Sequence, residues 1–117
     1  MLYTNLKHIE SINDYENAIN NNENVMIICG RMGPMCIPVY KIAEELEQEK
    51  EYDHVKFFDF EFDTSEADVI RNLKEVSGFM GIPFTIYYKN GKVVKATSSI
   101  QTKEQVKSIL DTEFATK

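Results

Sequence analysis

At 117 residues, 43% hydrophobic, with six tyrosines and seven phenylalanines, the chain holds enough apolar material for one core and no length for a second. Nineteen acidic against thirteen basic residues leave a net charge of −6, which argues against a nucleic-acid or anionic-membrane partner. No stretch approaches the roughly twenty apolar residues of a membrane span, and Met1 to Glu10 lacks a charged region followed by an apolar run, so a single cytoplasmic, monomeric domain over 1–117 is expected.

In chain order, Ser11 followed by Asp14 makes a capping-box-like start, and Tyr15, Ala18 and Ile19 fall at helical spacing, predicting a helix over 12–20 that ends in the turn-forming cluster Asn20, Asn21, Asn22 and Asn24. Val25-Met26-Ile27-Ile28-Cys29 is a continuous apolar run, the pattern of a strand buried on both faces. From Cys36 onward, Val39, Ile42, Ala43 and Leu46 trace one face of a helix while Glu44, Glu45, Glu47 and Glu49 take the solvated one. Val55 to Phe62 reads as a strand, and Asp63-Thr64-Ser65 as the N-cap of a helix carrying Val69, Ile70, Leu73 and Val76, stopped at Gly78. Phe84 to Lys89, Asn90-Gly91 and Lys92 to Thr97 predict a hairpin with a type I′ turn. Thr102 with Gln105 opens a last helix containing Val106, Ile109 and Leu110. The element order is β-α-β-α-β-α-β-β-α, an α/β arrangement whose early strands form parallel crossovers and whose last hairpin adds antiparallel strands.

That order, with Gly81-Ile82-Pro83-Phe84-Thr85 leading a strand and Lys89-Asn90-Gly91 turning it, resembles the thioredoxin family over nearly the whole chain. The region between the second helix and Pro83 is slightly longer than is usual there. The resemblance implies the thioredoxin fold, a central mixed sheet flanked by helices on both faces, and a cis-proline at Pro83. Where the family carries Trp-Cys-Gly-Pro-Cys at a helix start, this chain has Met32-Gly33-Pro34-Met35-Cys36. Matching the Gly-Pro dipeptides puts Met32 and Met35 at the two cysteine positions. Matching the helix positions Val39, Ile42, Ala43 and Leu46 instead, the preferred register, puts Gly33 at the first and Cys36 at the second. Either way the first cysteine is absent and the C-x-x-C site is degenerate. The family's buried Asp falls on Ile27 and its lysine partner near Asp59, which reads either as a carboxylate approaching from the next strand or as a solvated strand-end acid. The helix-kinking proline of the family falls on Lys41, while Pro38 lies in the first turn, where a missing N–H is harmless.

Disulfide reduction needs an exposed thiolate to attack and a second thiol to resolve the mixed disulfide, so an ordinary dithiol reductase is not expected. Cys36 is either structural or a monothiol, with a helix N-terminus there to favour its thiolate. Cys29 is either core packing or the redox partner of Cys36 in a C-x6-C bridge. The resemblance implies that Ile82 and Pro83 hold an extended peptide, although a purely structural strand entry is an equal reading. Met32, Met35, Phe79, Met80 and Ile82 would rim that site, and some of them fill core gaps in the plainer reading. His8 and His54 read as ordinary surface histidines, and no metal or cofactor is implied. Two functions follow: a thioredoxin-like module that binds a protein or peptide segment, or a thiol–disulfide oxidoreductase of reduced scope in cell redox homeostasis, using Cys36 on a partner cysteine or a small thiol such as glutathione.

Overall fold

The apolar run in the first third of the chain becomes the central strand of the molecule. In a computed structural model that describes residues 2–115, β2 (Asn24–Gly30) is buried along its entire length. It pairs in parallel with β3 (Lys56–Glu61) and antiparallel with β4 (Phe84–Lys89). The short β1 (Lys7–Ile9) and the hairpin strand β5 (Lys92–Ser98) form the two edges, giving the order β1-β3-β2-β4-β5. Asn90 and Gly91 both take positive φ, 54° and 81°, as a type I′ turn requires. The expected span of 1–117 extends past the described residues at both ends.

Because side chains alternate along a strand, β2 feeds two separate cores. Met26 and Ile28, with Phe57 and Tyr87, pack under α2 (Ile37–Glu47) and α4 (Lys103–Glu113) through Val39, Ala43, Leu46, Val106 and Leu110. Val25, Ile27 and Cys29, with Phe60, Ile86 and Tyr88, pack under α1 (Ile12–Asn20) and the short α3 (Asp68–Arg71) through Tyr15, Ala18 and Ile70. Ser11 caps α1 by accepting from the Asp14 N–H at 3.0 Å. Thr102 and Gln105 form the full reciprocal capping box of α4. The N-terminal segment adds Leu2 and Leu6 to the first core.

The helix expected after Asp63 is broken. Ser65–Ala67 is a 3₁₀ turn, α3 is one turn long, and after Leu73, extended at φ −66° and ψ 135°, Lys74–Val76 is a second 3₁₀ turn. Arg71 supplies the reason: its guanidinium donates to the Phe62 and Thr64 carbonyls and pairs with Asp68. Those carbonyls follow β3 and need donors. Ile70 and Val76 still reach the core, from turns instead of one helix face.

Candidate functional site

The loop that leaves β2 is closed by backbone hydrogen bonds before α2 begins. The Gly33 carbonyl accepts from the N–H groups of Cys36 at 3.1 Å and Ile37 at 3.0 Å, Cys36 is the N-cap of α2, and Pro38 sits in its first turn. Facing it is the segment that enters β4. The Ile82–Pro83 peptide bond is cis, and the Ser99 N–H holds this segment by donating to the Gly81 carbonyl at 3.1 Å and the Pro83 carbonyl at 2.9 Å.

The two loops meet over Gly30. A Cβ built there would lie 2.8 Å from the Cys36 sulfur, 2.8 Å from the Tyr40 hydroxyl and 3.1 Å from the Pro83 Cβ, so only glycine leaves room for all three. Tyr40, one turn into α2, uses that room to donate its hydroxyl to the Arg31 carbonyl at 3.2 Å. The structure thus brings Cys36 and Pro83 together. Cys29 and Cys36, by contrast, belong to the two cores on opposite faces of the sheet, and both are free thiols.

Cys36 is 1% exposed. Burial pushes its thiol upward, while a backbone hydrogen bond from Arg31 and the Arg31 charge act against that push. The helix N-terminus therefore does not yield a low-pKa thiolate, because burial outweighs it. Cys29, fully buried, is pushed up by burial to about 12. Neither sulfur is exposed to attack an incoming disulfide. Gly33 has open surroundings: a Cβ there would meet only the Arg31 Cγ, at 3.9 Å.

What the loops do expose is thioether. Met32 is 39%, Met35 44% and Met80 98% exposed, and the Met32 sulfur accepts from the Tyr3 N–H at 3.4 Å. Phe79 and Ile82 are half-buried and pack on the core, Phe79 against Phe84 with ring centroids 5.8 Å apart. Pro34 is exposed at the turn.

Two features beside the site were not singled out in the sequence, and a third differs from its sequence reading. Gly30 and Tyr40 are one, although a glycine closing an apolar strand and a tyrosine four residues after Cys36 are signals in hindsight. The second is the bidentate pair of Arg31 with Asp63, at 2.7 and 3.1 Å. It holds the Asp63 carboxyl below the usual range, and Arg31 and Arg71 lie 5.6 and 5.5 Å from the centroid of the Phe62 ring. The third corrects the reading of His8 and Asp59. Asp59 is 1% exposed, accepts from the Thr4 hydroxyl at 2.6 Å and meets His8 Nδ1 at 2.7 Å. It is neither a solvated acid nor bonded at Cys36. Burial pushes it up while the bonds from Thr4 and His8 pull it back. His54 is half-buried and donates from Nε2 to the Phe114 carbonyl.

Among the described residues no cluster of three or more His, Cys, Asp or Glu could hold a metal ion, and no helix is long and apolar enough to cross a membrane. No family model matches the sequence, and no curated protein does. Solved structures do match. The chain is similar to the thioredoxin of Malassezia sympodialis, at 14% identity and a TM-score of 0.77 over 98% of this chain and 96% of that one. It is similar to Plasmodium falciparum thioredoxin, at 22% identity and a TM-score of 0.74 over 92% and 99%. It is also similar to mitochondrial thioredoxin 3 of Saccharomyces cerevisiae, at 18% identity and a TM-score of 0.71 over 91% and 94%. With the mixed sheet, its helices on both faces and a helix start set against a proline loop, these likenesses establish that the chain has the thioredoxin fold.

Proposed function

We propose that this thioredoxin-like chain binds an extended protein or peptide segment between the Met32 to Cys36 loop and the Ile82-Pro83 loop, and does so without dithiol chemistry. The observation that carries the reading is the pairing of glycine at the first-cysteine position with a Cys36 sulfur that is 1% exposed. Attack from the exposed side has no thiol, and the covered one is held protonated by burial. Binding needs neither. Backbone groups at Ile82 and an apolar, adaptable methionine rim suffice for an extended segment. A monomer in the cytoplasm belongs to the same reading, supported by two cysteines left as free thiols.

The second reading, a monothiol oxidoreductase using Cys36, draws on the Arg31 hydrogen bond and charge, which favour the thiolate. Protein labelled with ¹³C at its methionine methyl groups, titrated with short disulfide-free peptides of apolar centre in excess dithiothreitol, decides between them. Shifts at Met32, Met35 and Met80 that persist in Cys36→Ser support binding. Absence of any shift, or capture only of disulfide-bearing peptides and only with Cys36 intact, overturns the reading in favour of the monothiol.

A further inference from the structure

The sulfur atoms of this chain divide sharply by exposure. Both thiols are buried, at 0% for Cys29 and 1% for Cys36, and burial raises both. Met26 is buried at 0% in the first core. Among the described residues, the exposed sulfur-bearing side chains are three thioethers, and all lie in the loops that converge on Cys36 and Pro83: Met32, Met35 and Met80. Peroxide oxidation of cysteine needs an accessible thiolate, whereas a thioether needs access alone, having no proton to lose. We infer that these loop methionines are the oxidation site of the protein, and that hydroperoxides convert them to sulfoxides while both thiols are spared.

The chemistry is a two-electron oxygen transfer. A methionine sulfur attacks one oxygen of the hydroperoxide, the S–O bond forms as the O–O bond breaks, and the second oxygen leaves as water, or as an alcohol from an organic hydroperoxide, after taking up the proton. The structure also orders the three sites. Met80, almost fully exposed, reacts first. Met35 and Met32 are similarly exposed, but the Met32 sulfur is engaged by the Tyr3 N–H, so Met35 precedes it. A sulfoxide replaces an apolar, flexible thioether with a polar, chiral group. Resting on the binding reading above, this makes the groove peroxide-sensitive: an oxidised rim holds an apolar segment more weakly, and a methionine sulfoxide reductase supplied with a dithiol restores it, the oxygen leaving as water and the dithiol as its disulfide.

Brief exposure of the native protein to hydrogen peroxide, followed by peptide mapping by mass spectrometry, tests the chemistry without any variant. Expected is +16 at Met80, then Met35, then Met32, with Met26 slower by more than about tenfold until denaturant opens the core, and with no sulfenic or sulfinic mass at either cysteine. Cys36 modified as early as Met80, or Met26 keeping pace with the loop methionines, overturns the assignment. Peptide titration before oxidation, after it, and after treatment with methionine sulfoxide reductases tests the consequence. Binding lost and then regained supports it, and binding unchanged by full rim oxidation overturns it. Unoxidised protein that binds no peptide defeats the groove reading, and with it the proposed switch, while the mapping still decides the oxidation site.

Discussion

A Cβ on Gly30 would lie 2.8 Å from the sulfur of Cys36. The last residue of the central strand is thus matched to the N-cap of α2, and the match is tight because Tyr40 and Pro83 also border the same space. Gly30→Ala must move a sulfur, a ring hydroxyl or a proline ring inside a packed core, which costs about 1–3 kcal/mol. Tyr40→Phe loses the bond to the Arg31 carbonyl, worth about 0.5–1.5 kcal/mol, yet clears one of the three obstacles. The double variant is therefore expected to cost less than the two single variants together. Urea unfolding of all four proteins checks the sign of that coupling; strict additivity would mean that the hydroxyl does not compete with the added methyl group.

The buried thiols lead to a second expectation. In native protein at neutral pH, Ellman's reagent should titrate neither Cys29 nor Cys36 at an appreciable rate, and two thiols should appear on adding guanidinium. Burial raises both thiols, Cys29 to about 12, so a moderate rise in pH without denaturant should expose neither to the reagent. Because the two thiols lie on opposite faces of the sheet, diamide should leave the monomer without an internal disulfide. A mass loss of two from the native chain would contradict this placement.

Elements whose cause is local were legible before the structure. The run Val25 to Cys29 is apolar because both its faces are covered, Asn90-Gly91 supplies two positive φ angles, and Thr102 with Gln105 carries both bonds of its capping box. The first strand stands in the expected order without a residue range, because β1 is three residues long and buries only Ile9. The helix after Asp63 was misread because the apolar spacing was right while a side chain overrode it: Arg71 spends its donors on the carbonyls of Phe62 and Thr64. In the site, the loop and the proline entry were visible as motifs, but the cover over Cys36 depends on Gly30, Tyr40 and Pro83, which come from three elements. Asp59 likewise stays open in the sequence between an approaching carboxylate and a solvated acid, because its partners, Thr4 and His8, stand 55 and 51 positions away in the chain.

Asp59 sets a pH dependence. Its folded-state pKa is raised, chiefly by burial, with Thr4 and His8 opposing the rise and Glu10 adding to it. A carboxyl raised on folding binds its proton more tightly in the native state, so its ionised form costs stability at neutral pH. That cost fades as pH falls through the raised value, and is gone below the unfolded chain's value of about 3.9. Measured by urea unfolding from neutral to acid pH, the wild type should therefore gain on Asp59→Asn as the solution is acidified. His8→Gln removes one opposing contact and should move the gain to higher pH. A wild type that instead loses ground to Asp59→Asn on acidification would show that the hydrogen bonds outweigh burial.

Gly33 offers the sharpest test of the alignment on the helix positions of α2. Its carbonyl already accepts the N–H groups of Cys36 and Ile37, so the turn that sets residue 33 against Cys36 is in place. A Cβ there meets only the Arg31 Cγ at 3.9 Å, so the first side-chain atom of Gly33→Cys displaces nothing. The introduced thiol would sit in the hydrogen-bonded turn that leads into α2, ahead of its Cys36 N-cap. Cys36, covered behind it, is placed to resolve the mixed disulfide. Gly33→Cys is therefore expected to accelerate dithiothreitol-driven insulin reduction clearly above the parent chain, and to lose that gain on Cys36→Ser. The rival register predicts otherwise. Met32→Cys with Met35→Cys rebuilds cysteines around Gly33-Pro34, but it puts the resolving thiol at a position that is 44% exposed, on the outside of the turn. If that pair reduces insulin and Gly33→Cys does not, the alignment on the helix positions Val39, Ile42, Ala43 and Leu46 is wrong, and Cys36 loses its place as the second thiol of the site.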